Sequence, residues 1–152
     1  DLHHNCRCSM PQIQKYRSKI SGPLLDRIDI HVEAPAVRIQ DLQNPLQGES
    51  SESIRSRIEA CREIQNKRYL KCGISSNSEI PSSLMDEICS LSKDNLEILN
   101  RAMSQLSLSA RAYGRILKVS RTIADLEQEE KIEKKHLLEA IQYRSLDRNV
   151  CN

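Results

Sequence analysis

Aromatic residues are scarce in this sequence: it has no tryptophan and no phenylalanine, and four tyrosines account for the aromatic content of 3%. A hydrophobic core must therefore be built from leucine, isoleucine, valine, alanine and methionine, which is typical of packed helices. The 152 residues can bury a sizeable core in one medium domain, or in a small domain with part of a second. With 38% hydrophobic and 29% charged residues, the composition indicates a soluble globular protein.

Strong net charge and long apolar runs are also absent. The formal net charge is only +2, so a nucleic acid or a membrane surface would have to be bound through a local basic patch. No apolar run approaches the length of a membrane span, and no secretory signal is visible. We therefore expect a cytoplasmic protein without a membrane partner.

The six cysteines are spread along the chain and do not suggest a disulfide framework. Cys61 and Cys89 fall on apolar faces of helical patterns, where a thiol behaves as a small hydrophobic group. Cys6 and Cys8 are the only close pair, and they supply at most half of a tetrahedral metal site. Two adjacent histidines upstream could complete it on paper, but neighbours point in different directions. A disordered terminus is the simpler interpretation.

The N-terminal third predicts little regular structure of its own. Residues 10–20 predict a short helix, which a Ser-Gly-Pro sequence ends. Residues 28–33 alternate strictly between apolar and polar residues and form the only good strand pattern. Because a lone strand is not stable in water, we expect it to pair with strands outside this sequence. Residues 34–52, rich in Pro, Gln, Asn, Gly and Ser, then predict a linker.

Apolar residues recur at helical spacing in the rest of the chain. They predict helices over about 52–69, from residue 81, from residue 94, over 109–127 and over about 134–144. Short connections between them indicate a helical bundle. The first of these helices is locally basic, which usually means a solvated face, with a nucleic-acid contact as the alternative. Its basic residues are Arg55, Arg57, Arg62, Lys67 and Arg68.

The longest clean helical pattern runs from Leu108 to Leu126. Ser109 is a good N-cap, which places Arg111 in the first turn, where a cation opposes the helix dipole. Since a helix N-terminus attracts phosphate and an arginine can bind it in a bidentate manner, Arg111 is a candidate phosphate ligand. A solvated surface arginine is the alternative. For Arg27, which stands between two aspartates, the pattern alone indicates a local ion pair.

Four blocks that together cover nearly the whole chain carry a family resemblance. They are ISGPLLDRIDIHV (20–32), SIRSRIEACREIQNKR (53–68), LSLSARAYGRILKVSRTIADL (106–126) and HLLEAIQYRSLDR (136–148). The sequence resembles magnesium-chelatase-like AAA+ ATPases of the ComM/YifB type. The resemblance implies a mainly α fold, in which 1–36 is the end of an AAA+ α/β core that contributes one strand. Residues 37–52 would be a linker, and 53–152 a helical insertion followed by the lid.

The resemblance also implies roles for individual residues. Arg111 resembles the sensor 2 arginine, which contacts the γ-phosphate of ATP. Arg27 resembles the arginine finger, which reaches into the ATP site of the neighbouring subunit. Both would stabilise the charge of a phosphoryl-transfer transition state. Whether sensor 2 acts within its own subunit or across subunits stays open.

Cys6 and Cys8 resemble half of a four-thiolate zinc site whose other pair precedes this point in the family. Zn²⁺ is therefore a candidate cofactor of the full-length protein only. The sequence contains neither a Gly-x-x-x-x-Gly-Lys-Ser/Thr loop nor an acidic Walker B strand. The resemblance thus implies that ATP and Mg²⁺ are held outside this chain, which alone would not hydrolyse ATP.

For the full-length protein the resemblance implies a bacterial, ATP-driven homo-hexamer. In it, this chain would contact its own AAA+ core and neighbouring subunits, and the motor would act on DNA during natural transformation or recombination. Two alternatives stay open. One is a chelatase-type subunit that drives metal insertion into a tetrapyrrole, and the other is a helical interaction module without a nucleotide role.

Overall fold

The computed structural model describes residues 8–32, residue 34 and residues 48–144, and all regular secondary structure in these ranges is helical. The mainly α prediction is confirmed there. None of the helices in these ranges is long and apolar enough to cross a membrane. The helices are α1 (Met10–Arg17), α2 (Gly22–Leu25), α3 (Ser51–Tyr69), α4 (Met85–Ile88), α5 (Lys93–Gln105), α6 (Ala110–Leu126) and α7 (Lys134–Gln142), with short 3-10 turns at Asn77–Glu79 and Ser82–Leu84.

Helix α6 is the central element, because α3, α4 and α7 all pack against it. Its predicted start is confirmed: the Ser109 hydroxyl accepts a hydrogen bond from the Ala112 amide at 3.3 Å. Ala112, Ile116 and Ile123 are buried along its inner face, as their spacing predicts. Helix α7 buries Leu137 against the same core, and α5 packs on α7 in turn.

A buried carboxylate, Asp125, ties α6 to α3. It is fully buried and accepts hydrogen bonds from both Nη atoms of Arg68, at 2.7 and 2.5 Å, and from Arg121 Nε at 3.1 Å. Asn77 Nδ2 donates to it at 2.8 Å. Such a bidentate pair holds both partners in one geometry, and it raises the pKa of Arg68 above its usual value, chiefly through the hydrogen bonds to Asp125.

The same polar cluster fixes two loops. Arg121 donates to the backbone oxygens of Glu129 and Glu130, at 2.5 and 2.6 Å, and so holds the turn between α6 and α7. Asn77 accepts a hydrogen bond from the Tyr69 hydroxyl at 2.5 Å, which anchors the 3-10 turn to the end of α3. Each charge in the cluster therefore has partners, as buried charges require.

The predicted strand at 28–33 is wrong for the residues that the structure describes, since 28–32 form no strand. An alternating pattern becomes a strand only when a neighbour supplies ladder hydrogen bonds, and the described ranges contain no second strand. This segment instead lies against the end of α7, where the His31 amide donates to the Tyr143 carbonyl at 2.9 Å. Ile28 and Ile30 stay exposed, at 41% and 47%.

The predicted inner face of α3 is correct only in part. Ile54 and Ile58 are 38% and 49% exposed, whereas Cys61, Gln65 and Tyr69 are buried. All buried residues of α3 therefore lie in its C-terminal half. Periodicity identifies residues that share a face, but it does not say how much of that face a neighbour covers. Other large hydrophobic residues at helical spacing are exposed for the same reason, namely Tyr16, Ile20, Leu96 and Leu138.

Helix α3 begins at Ser51, inside the predicted linker, and residues 35–47 lie outside the described ranges.

We expect Asp125→Asn to lower the free energy of unfolding of the chain by about 3–5 kcal/mol, because two guanidinium groups lose their buried counter-charge. Urea denaturation followed by circular dichroism measures the change. Glu97→Gln, at an exposed position of α5, is the control and should stay within about 0.5 kcal/mol of the wild type. Equal free energies of unfolding for Asp125→Asn and wild type would show that the carboxylate does not stabilise the fold.

Cys89 and Cys61 should resist alkylation in the folded chain. Burial raises the pKa of Cys89 to about 11 and also raises the pKa of Cys61, so both stay protonated thiols at pH 8. Cys72 is exposed and should react readily. Iodoacetamide labelling mapped by mass spectrometry tests this, with labelling in denaturant as the control. Native labelling of Cys89 as fast as that of Cys72 would contradict the buried position.

Candidate functional site

Arg27 and Arg111, which the sequence analysis selected separately, line one groove of about 520 Å³. The groove lies between the turn after α2, the 3-10 turns and the N-terminal half of α6. Two further cations, Arg115 and Lys118, line it, and among the described residues Asp26 is the one acidic side chain of the lining. The groove is therefore strongly positive, although the chain as a whole is nearly neutral.

Helix α6 contributes three of these cations from one stripe. Arg111, Arg115 and Lys118 are spaced by four and three residues, which puts them on the same face of the helix. Arg115 forms an ion pair with Asp29, and Lys118 Nζ donates to the Ser78 carbonyl at 2.8 Å. Two of the cations are thus engaged by the protein itself. The spacing from Arg111 was visible in the sequence and could have identified both residues.

Arg27 projects from a tight turn directly after α2. The Arg27 amide donates to the Leu24 carbonyl, and the Ile28 amide to the Leu25 carbonyl, each at 3.0 Å. The Arg27 and Arg111 side chains are exposed, and within the described ranges neither makes a hydrogen bond or an ion pair. These two guanidinium groups are therefore the cations of the groove that remain available to a ligand.

Arg144, just beyond the end of α7, holds the Arg27 turn in place. Its side chain is 1% exposed. Nη1 donates to the backbone oxygens of Ile28 and, at 3.4 Å, of Leu25, while Nη2 lies 3.8 Å from Asp26 Oδ1. The sequence pattern gives Arg144 no role of its own. Its partners lie more than a hundred positions away, so no local pattern signals the contact.

The groove suits a multiply charged anion. Two available guanidinium groups can each bind phosphate oxygens in a bidentate manner, and the first turn of α6 adds the backbone N–H groups of Ala110 and Arg111 and the positive end of its dipole. Within the described ranges, no group of three or more His, Cys, Asp and Glu side chains is arranged to hold a metal ion. The described lining of the groove instead offers guanidinium and ammonium groups, which are hydrogen-bond donors to an anion.

The structure describes the predicted zinc half-site only in part, and it changes the predicted basic surface of α3. Cys8 is exposed and Cys6 lies outside the described ranges, so the Cys6–Cys8 half-site stays a prediction. On α3, Arg68 is turned inward to Asp125, so it does not belong to the basic surface that we predicted. The other basic residues are exposed, and Arg57 is paired with Glu49 at 2.9 Å; this surface consists of Arg55, Arg57, Arg62 and Lys67.

Comparison with known proteins gives two family matches. Residues 48–144 match the model described as magnesium chelatase, subunit ChlI C-terminal, and residues 1–42 match magnesium chelatase, subunit ChlI. The chain is 42% identical over 146 residues to the competence protein ComM of Haemophilus influenzae, covering 95% of this chain and 28% of ComM. It is 39% identical over 147 residues to YifB of Escherichia coli, covering 96% of this chain and 28% of YifB.

A more distant relative from Mycobacterium tuberculosis is 31% identical over 122 residues, which is 80% of this chain and 24% of that protein. The chain therefore spans only about a quarter of the length of these relatives.

We expect Gly114→Ala, within the groove stripe of α6, to stabilise the chain by about 0.5–1 kcal/mol. Alanine is the better helix former, and its Cβ would come no closer than 3.9 Å to a neighbour, Met85 Cε. Thermal denaturation measures the shift. Gly73→Ala is the matched control and should destabilise, because Gly73 has a φ of +67°. A lower melting temperature for Gly114→Ala would show that this part of α6 is more closely packed.

Proposed function

Because the chain belongs to the magnesium chelatase subunit ChlI family, we propose that it is the part of an ATP-hydrolysing AAA+ protein that brings two arginines to a bound nucleotide. One observation carries the proposal: Arg27 and Arg111, from distant parts of the sequence, line one groove, and both lack partners within the described ranges. In addition, the two family matches cover residues 1–42 and 48–144, and the residues between them fall within the predicted linker.

The two arginines act as electrostatic catalysts. As the γ-phosphoryl group of ATP is transferred to water, negative charge spreads over its oxygens, and nearby guanidinium groups stabilise that charge. Arg115 and Lys118 add positive potential that draws the nucleotide into the groove. The sequence has no Gly-x-x-x-x-Gly-Lys-Ser/Thr loop, so this loop and Mg²⁺ belong to the rest of the protein.

A shared groove also favours one arrangement of subunits. An arginine finger acts on the ATP of the neighbouring subunit, and Arg111 lines the same groove as Arg27. Both arginines therefore meet the same ATP, and sensor 2 acts across the subunit boundary. The groove then lies at the interface between subunits of a ring, for which we propose a homo-hexamer.

DNA is the substrate that we propose for this motor. The support is the relative named competence protein ComM, together with the exposed basic residues Arg55, Arg62 and Lys67 on α3. The second candidate is metal insertion into a tetrapyrrole, which the family description, magnesium chelatase, favours. Stimulation of ATP turnover by DNA, rather than by a porphyrin with its partner subunits, distinguishes the two.

We expect Arg27→Ala and Arg111→Ala each to lower the ATPase kcat of the full-length protein by about 10²–10³-fold, the range for removing one transition-state donor. Turnover is measured with and without DNA, and assembly is checked by light scattering. Arg101→Ala, at an exposed position of α5 outside the groove, is the matched control. If neither groove variant changes turnover, the groove has no role in hydrolysis and serves as an interaction surface.

A mixing experiment tests the proposed trans arrangement. Subunits carrying Arg27→Ala and Arg111→Ala together are combined with subunits whose own nucleotide-binding loop is disabled. Turnover should be restored, because intact ATP sites then face intact arginines of the neighbour. If Arg111 acted on the ATP of its own subunit, these mixed rings would stay inactive, whereas mixtures with the single Arg27→Ala variant would recover.

A further inference from the structure

Arg144 contacts three residues of the Arg27 turn. It reaches the backbone oxygens of Leu25 and Ile28 and the carboxylate of Asp26, and so contacts residues on both sides of Arg27. One position before Arg144, the Tyr143 carbonyl accepts a hydrogen bond from the amide at position 31, at 2.9 Å. The end of α7 therefore holds this turn from two adjacent residues.

The chemistry of arginine fits this task. A planar guanidinium presents several N–H donors in a fixed geometry. In Arg144, Nη1 donates to both carbonyl oxygens, and Nη2 lies within ion-pair distance of the Asp26 carboxylate. Burial of a guanidinium carries a desolvation cost that an apolar side chain would avoid. Since Arg144 is 1% exposed, the contacts it makes must offset that cost. They are directed at the backbone that carries Arg27.

The same helix is rigidly connected to Arg111. Helix α7 packs along α6, with Leu137 and Ala140 buried in the core, and Arg111 lies in the first turn of α6. Among the described residues, Arg115 on α6 also forms an ion pair with Asp29, and these side chains are 39% and 46% exposed. A pair so exposed contributes little. The contacts of Arg144 and of the Tyr143 carbonyl are therefore the stronger connection within the described ranges.

We propose that Arg144 is a positioning residue that fixes Arg27 relative to Arg111, so that both guanidinium groups reach the same phosphate chain. This inference rests on the proposed function, because it requires Arg27 to act on phosphate. It goes beyond that function because a residue that does not line the groove would fix the position of Arg27. Small displacements of a catalytic group cost large factors in rate, which gives such a residue a measurable effect.

The test is a double-mutant cycle in the full-length protein, with kcat and KM for ATP measured for Arg144→Lys, Arg27→Ala and the combination. Lysine keeps the charge but loses the planar fork. We expect Arg144→Lys to lower kcat about ten-fold and to change KM less than about two-fold. In the Arg27→Ala background, Arg144→Lys should have no further effect, because Arg144 acts through Arg27.

Leu99→Ala on α5, which opens a cavity in the hydrophobic core, is the control for a purely structural effect. If Leu99→Ala changes kcat, the change should be the same factor in the wild-type and the Arg27→Ala backgrounds. If Arg144→Lys also acts by one factor in both backgrounds, Arg144 is only structural and the inference is wrong, while the loss caused by Arg27→Ala keeps the proposed function. If Arg27→Ala leaves kcat unchanged, the proposed function and this inference both fail.

Hydrogen exchange gives a second measurement, and it does not depend on activity. The amides of Asp26, Arg27 and Ile28 donate to backbone carbonyls at 2.9–3.0 Å, so they should exchange slowly in the wild type. Arg144→Lys should speed exchange in this turn and leave α5 unchanged. Asp26→Asn replaces Arg144→Lys in both experiments if the latter fails to fold. Unchanged exchange in the turn would overturn the inference.

Discussion

The carboxylate of Asp125 is the interaction on which the arrangement of the helices depends. It is fully buried and receives donors from Arg68 on α3, Arg121 on α6 and Asn77 in the 3-10 turn. Burying these charges is costly unless every one is paired, so the cluster tolerates only one placement of the elements that supply it. The apolar core provides most of the driving force for folding, while this cluster joins α3, α6 and the 3-10 turn through directed hydrogen bonds.

The positions of the groove residues depend on that cluster. Arg121 ties the end of α6 to the turn before α7, and Arg144, two residues after α7, holds the turn of Arg27. Arg111 lies at the other end of α6. The two available guanidinium groups of the groove are thus connected through one series of packed helices and charge-assisted hydrogen bonds. A groove built this way needs no contact between Arg27 and Arg111 themselves.

Features that depend on neighbouring residues could be predicted from the sequence, whereas contacts between residues far apart in the sequence could not. The start of α6 and its Ser109 cap could be predicted, because capping and periodicity act within a few residues. Arg68 was assigned to a solvated basic face, since nothing near it in sequence reveals that its partner is Asp125. The strand over 28–33 failed for a related reason, because a strand exists only with a neighbour and periodicity contains no information about neighbours.

The groove departs from local rules in a way that suits a ligand. Cations gathered on one side repel one another, and Arg111 in addition opposes the dipole of α6. The structure relieves part of this repulsion through Asp29 and the Ser78 carbonyl, which engage Arg115 and Lys118. Arg27 and Arg111 receive no such compensation within the described ranges. A phosphate chain bound in the groove would neutralise part of this positive charge. Sequences break local rules of this kind where function requires it, and α6 is otherwise a well-capped, well-packed helix.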